Sequence, residues 1–398
     1  MSEYRALETP IEMLGDRAVR YERMAGLIGV IGLLLCVVGY FTNAPILFQS
    51  YLFSFIYWSG FAFASLGILL LNNTVGGKWG VTIRRYLEAG IRTIPFVLLL
   101  FIPLLLGLHY LYPWAQQNVI NTDAIVRHKL PFLNVPFFIA RVVLYFAIWC
   151  FWGFRLIRYS DQQDKTGDIT LRDSMRKFSA PGILVFFLTA TFAYIDWVLS
   201  ADADFYSTVY GGMIIIGAVV QTFALTIVVL VLSSKRDRFG GRINAPLLHD
   251  LGNMMFAFTI FWTYLAASQL IIVWPGNLPQ ELNWYLVRVR GGWTVMAAAV
   301  SLVMFLIPFL ALLSQSRKRD PKRLMRVAIW LLCARAVDLF WVVEPTFRKG
   351  GFAIYWTDVA SFFGIGGIWL YLYLGMLRKR PLLPLRDPRV AQPLVEAL

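Results

Sequence analysis

Between Arg23 and Lys78 the chain runs for 54 residues without one charged side chain. About 20 apolar residues suffice to cross the hydrocarbon of a bilayer. The stretch therefore has room for two spans, and Asn43, Ala44 and Pro45 supply a turn between them. Similar windows recur along the chain. With 58% hydrophobic and only 15% charged residues, too little polar surface remains to cover a water-soluble globule. The windows are continuous rather than alternating, so an all-α integral membrane fold is expected and a β-barrel is not.

Ten spans are predicted, at 24–41, 47–71, 94–111, 132–157, 180–200, 209–232, 251–274, 292–313, 324–343 and 354–377. They leave a cytoplasmic N-terminal arm, 1–23, a transmembrane domain, 24–377, and a cytoplasmic tail, 378–398. The net charge of +14 is explained by topology rather than by a nucleic-acid partner. Lys and Arg number 27 in the arm, the tail and the loops after even-numbered spans, against six in the loops after odd-numbered spans. Because basic loops stay inside, both termini are placed in the cytoplasm. The arm lacks a small-residue cleavage site, so it is not a secretory signal. Its IEMLGDRAVRYERM reads as a short cytosolic amphipathic helix. Cys36, Cys150 and Cys333 each fall in a span, with no disulfide or redox spacing.

An internal repeat is visible. AYIDWVLSADADFYS ends span 5 and LLCARAVDLFWVVEP ends span 9; in each, an acid (Asp196, Asp338) precedes another by six residues (Asp202, Glu344). Spans 2 to 5 (47–200) and 6 to 9 (209–343) are therefore expected to be two four-helix bundles, flanked by spans 1 and 10. An even number of helices per repeat makes the copies parallel.

Five charged residues lie four or more residues inside the span ends: Arg141, Asp196, Arg335, Asp338 and Asp358. A charge in hydrocarbon costs several kcal/mol and needs a partner, a cavity or a task. Arg335 and Asp338, three apart on a helix, can pair directly, and Arg141 is left to pair with Asp196. Two readings stay open: structural ion pairs, or acids exchanging protons with the outer aqueous phase, with Tyr194, Tyr206 and Thr191 flanking Asp196. From the inner side, His249, Asp250, Asn253, Tyr264 and Gln269 along span 7 suggest a polar track, and Gln221 and Thr222 suggest hydrogen bonds between helices. Paired intramembrane histidines for haem are missing, since His109, His128 and His249 fall at span ends or in a loop. Neither clustered cysteines, a nucleotide-binding glycine motif nor a nucleophilic triad is present. No cofactor is expected in this chain.

The segments AYIDWVLSADADFYSTVYGG and SQLIIVWPGNLPQELNWYLVRVRGGW, with ten spans in parallel repeats, resemble the polysulfide reductase membrane-subunit family. The chain is most similar to its ActF-type branch, the smaller of two such subunits in alternative complex III. That resemblance implies a subunit of a menaquinol-oxidising complex in the bacterial inner membrane, scaffolding its partners and offering a proton route. It implies as partners a larger ActC-type membrane subunit, iron-sulfur and multihaem cytochrome c subunits that carry the cofactors, and lipids. Asp196 and Asp338 match the acids of its fifth and ninth spans. Two alternatives remain: the quinol-binding subunit itself, with His109 and Asp196 as quinol partners, and a stand-alone secondary transporter, which the glycine cluster at 364–367 favours.

Overall fold

The computed structural model describes residues 16–234, 244–384 and 387. Among the described residues all regular structure is helical, and eight helices are long and apolar enough to cross a membrane. The chain is an all-α, multi-pass membrane protein. Residues 1–15 of the arm, the basic loop 235–243 and most of the tail lie outside the described residues.

Helix α1, Asp16–Val75, is 60 residues long and loses helical geometry at Asn43 (φ −158°, ψ 86°). Pro45 follows, and a proline ring collides with the preceding turn. Asn43 Oδ1 accepts the Ile46 N–H at 3.2 Å, capping the second half. Both halves pack on α11, Trp356–Arg378. Going along the first half, Gly26, Gly29 and Gly32 meet Tyr371, Ile368 and Gly364. Going along the second, Ser50 meets Asp358, Ser54 meets Ser361 and Gly366 abuts Trp58. The contacts descend α11 and then climb it, so α1 is a hairpin folded about α11.

Glycine makes this close approach possible. A Cβ added at Gly32 would lie 2.5 Å from the Gly364 backbone, and one at Gly367 would lie 2.5 Å from the Ala25 oxygen. Packing of small residues is the usual way membrane helices bring backbones together. The glycines at 364–367, expected on the transporter alternative to break a helix, instead lie within continuous α11.

A second expectation is corrected by α2, Lys78–Arg92, and α3, Ile94–Leu106. The predicted span bounds leave 72–93 as the loop between spans 2 and 3. Instead a tight turn at Gly76 (φ +87°) and Gly77 (φ +108°) leads straight into α2, whose Arg84, Arg85 and Glu88 are buried. Glu88 pairs with both arginines, and Asp387 and Asp164 supply the further acids, so the segment can be enclosed.

The remaining helices follow in sequence: α4, Val135–Thr166; α5, Thr170–Trp197; α6, Tyr210–Ser234; α7, Ala245–Gly276; α8, Trp293–Val300; α9, Ile307–Leu313; and α10, Pro321–Val343. A π-helical turn, Ser301–Leu306, joins α8 to α9 just before Pro308, whose missing N–H interrupts the ordinary ladder. Of the membrane-length helices α6 is the most enclosed, packed among α1, α5, α7 and α10. Outward-facing Leu27, Leu34, Leu184, Ile271 and Val295 are exposed, as suits a lipid-facing surface.

Candidate functional site

Charged side chains are buried at both ends of the bundle. At the end where α5 and α10 finish, three arginines hold four acids. Arg141, on α4, donates from Nε and Nη2 to the two carboxylate oxygens of Asp196 at 2.7 and 2.9 Å. Its Nη1 donates to the Phe132 carbonyl at 2.8 Å, and the guanidinium lies 4.0 Å over the Phe132 ring. Asp196, at 0% exposure, also accepts from the Tyr145 hydroxyl at 2.8 Å. Every donor around it is directed, and one arginine balances one acid.

The second pair is built differently. Arg335 and Asp338 bond along α10 itself, and Arg335 Nη2 reaches across to the Ile214 carbonyl on α6 at 3.2 Å. Gly217 makes the space, since a Cβ there would lie 2.6 Å from both terminal nitrogens. Asp196 and Asp338 thus correspond in sequence but not in construction: one pair ties two helices, the other ties a helix to itself.

The third cluster has one arginine and two acids. Arg348, in the loop after α10, donates from Nη1 and Nη2 to Asp358 at 2.9 and 2.6 Å. Asp358 also accepts from the Tyr355 N–H at 2.8 Å and the Ser50 hydroxyl at 2.6 Å. Glu344 lies 2.9 Å from Arg348 Nε in an ion pair, yet neither of its oxygens receives a directed hydrogen bond and its exposure is 0%. Four donors converge on the Asp358 carboxyl group. Glu344 has none, and burial pushes its carboxyl up to about 8, with Arg348 opposing and the Asp358 charge reinforcing the shift.

A pH dependence follows. A carboxyl raised from its ordinary 4.5 to about 8 is taken up protonated on folding at neutral pH. Its stabilisation is complete below about pH 4.5 and is lost as pH rises through about 8. The upper bound is about 5 kcal/mol at ~1.4 kcal/mol per unit. Thermal unfolding of the detergent-solubilised protein is expected to shift downward between pH 5 and 8. Glu344→Gln is expected to flatten that slope; an equally steep slope in the variant would remove Glu344 as its source.

Other residues singled out in the sequence fall elsewhere. Tyr194 is buried with its hydroxyl unpartnered, because two residues along a helix turn a side chain by about 200°. Tyr145, one turn after Arg141, takes the place expected for it. Thr191 bonds back to the Phe187 carbonyl at 2.7 Å, and exposed Tyr206 lies under Lys129 at 4.0 Å. Asp202 is half-buried and accepts the Asp204 N–H at 3.3 Å within a turn.

The polar track along α7 does not form. His249 and Asn253 are 3.3 Å apart, and Lys318 donates to Asn253 at 2.6 Å. Asp250 is exposed, Tyr264 is 64% exposed, and Gln269 bonds to Ser207. His109 is exposed while Asp196 is enclosed, so the two do not line one quinol pocket. Gln221 does join helices, donating to the Tyr57 carbonyl at 2.9 Å.

Two features had gone unrecognised in the sequence. Arg288 is buried with no ion pair among the described residues: it donates to the carbonyls of Trp284 and Val342 at 2.9 and 2.7 Å and to Thr346, and burial lowers it to about 10. Its charge sits at the C-terminal carbonyls of α10, where a cation is favoured. At the opposite end of the bundle, Glu88 accepts from Arg84 at 3.1 Å and Arg85 at 2.6 Å. Arg84 reaches Gln163 and Asp387 at 3.0 and 3.2 Å, and Arg380 joins Arg92 on Asp161. The spacing of Arg84, Arg85 and Glu88, three and four apart, was the available signal.

Among the described residues no three His, Cys, Asp or Glu side chains gather as a metal site. Compared with family models and with curated proteins, the chain matches none.

Proposed function

We propose that the chain is an ActF-type membrane subunit of a bacterial alternative complex III, without a redox cofactor of its own, whose Glu344, Arg348 and Asp358 exchange a proton at the outer face. The observation that carries the proton role is the imbalance at that cluster. Two buried carboxylates share one guanidinium, so the cluster is neutral only while it holds a proton, whereas the pairs at Asp196 and Asp338 are neutral without one. A site whose proton count changes at small cost is what a proton route needs at its mouth.

The membrane arrangement is that of the ten spans. The α1 hairpin supplies two, and α10, despite its charges, has the 23 residues that a crossing requires. The basic residues then place both termini and the Glu88 end in the cytoplasm of the inner membrane, with bundles at 47–200 and 209–343. The chain scaffolds its partners: an ActC-type membrane subunit and the iron-sulfur and multihaem cytochrome c subunits that take electrons from menaquinol. The family assignment rests on the YIDW and PGNLPQE segments.

The test is to isolate the chain in mild detergent and reconstitute what copurifies into liposomes. Haem-bearing partners are expected, and Glu344→Gln is expected to assemble normally, oxidise menaquinol and release fewer protons per electron. Isolation of the chain alone would overturn the complex, and unchanged proton release in the variant would overturn the proton role.

A further inference from the structure

A second polar site lies at the Glu88 end, bordering the Arg84 cluster through Met175, whose sulfur accepts from Arg84 at 2.9 Å. The last turn of α1 and the first turns of α5 enclose a cavity of about 130 Å³, lined by Asn73 to Gly76 and by Arg172, Asp173 and Arg176. That is about four times the ~30 Å³ share of a water molecule in the liquid, enough for a phosphate group. Arg172 and Arg176 stand four residues apart, on one face of α5. Both are exposed, and neither side chain has a hydrogen bond or ion pair with another described residue. In this they differ from Arg84, Arg85, Arg92 and Arg380 at the same end, each of which holds an acid.

The depth of the cavity is set by its walls. The membrane-length segments Ala18–Val75 and Thr170–Ala201 both end at it, so it sits where hydrocarbon gives way to headgroups. Val75, in its lining, is 76% exposed, offering apolar contact. Guanidinium groups match the paired oxygens of a phosphate.

We propose that this cavity binds the phosphodiester of an anionic phospholipid. Two arginines against Asp173 leave one net positive charge, which suits a singly charged phosphodiester. A free phosphate lacks the acyl chains and glycerol that could use the apolar contact at Val75.

The full chain in neutral detergent is titrated with short-chain phosphatidylglycerol, short-chain phosphatidylcholine and inorganic phosphate, with binding read by native mass spectrometry. Phosphatidylglycerol is expected to bind at least about ten-fold tighter than phosphatidylcholine. Arg172→Gln is expected to weaken it about five-fold and the double variant Arg172→Gln/Arg176→Gln about thirty-fold, from the usual worth of a basic residue near an anionic surface. Both side chains are exposed, so the fold is expected to persist. Lys322→Gln, exposed at the same end but outside the cavity, is expected to change binding less than about two-fold. Equal binding of the two lipids, wild-type binding in the double variant, or an equal loss in Lys322→Gln would overturn the site. Displacement of phosphatidylglycerol by millimolar inorganic phosphate would overturn its assignment to lipid.

Discussion

Asp196→Leu is expected to lower the unfolding free energy of the solubilised protein by about 3–5 kcal/mol, and adding Arg141→Met is expected to recover most of that loss. The single substitution leaves Arg141, only 6% exposed, without the two acceptors it now holds at 2.7 and 2.9 Å. An unpaired charge shut away from water costs far more than a paired one. Removing both charges removes that penalty, and Leu and Met approximate the lost volumes. Denaturant or thermal unfolding of the two single variants and the double variant forms a complete cycle. Additive losses would show that the pair is not the unit of stability. Because Asp196 is needed to keep Arg141 paired, its substitution tests packing first, and Glu344 is the acid whose replacement leaves the neighbouring arginine with a bidentate partner.

Gly32→Ala is expected to cost at least about 3 kcal/mol, at the upper end of what overpacking usually costs. The added methyl would meet the Gly364 backbone at 2.5 Å and the Ala360 oxygen at 2.8 Å. No side-chain rotation relieves a collision with backbone, so α1 and α11 must separate. Gly375→Ala on the same α11 is the control, because its methyl would meet only Glu22 Oε1 at 3.3 Å, the end of a flexible side chain. Lower folded yield and a lower unfolding midpoint for Gly32→Ala, with Gly375→Ala near wild type, is the expected pattern. Equal effects at the two positions would mean that the backbone approach is not what sets stability here.

The two bundle ends use the same residue types to different effect. At the Glu88 end the ionic contacts tie α2, α4 and the tail together through Asp161, Glu88 and Asp387. At the Glu344 end one arginine serves two acids. For quinol oxidation elsewhere to drive proton release there, the proton on Glu344 must respond to the redox state of a neighbouring subunit, which is a coupling between two sites. Arg348 lies in the loop after α10 rather than within a helix, so a partner pressing on that loop could alter its share between Glu344 and Asp358.

The helix class was legible in the sequence because hydrocarbon admits no unsatisfied backbone, so a 54-residue uncharged run has few structures open to it. The turn at Asn43 and Pro45 was legible for the same local reason, a proline that cannot continue a helix. The pair of Arg335 and Asp338 was legible because three residues along a helix return to the same face. What lay beyond the sequence depends on which helices touch. That Tyr145 rather than Tyr194 meets Asp196, that Arg348 serves both Glu344 and Asp358, and that the glycines of α11 receive α1 rather than break a helix are contacts between distant segments. Periodicity specifies the face a residue occupies on its own helix, but packing decides what that face meets. The enclosure of α2 lay beyond the sequence for a related reason: its arginines can be buried only when acids from α4 and the tail are placed beside them.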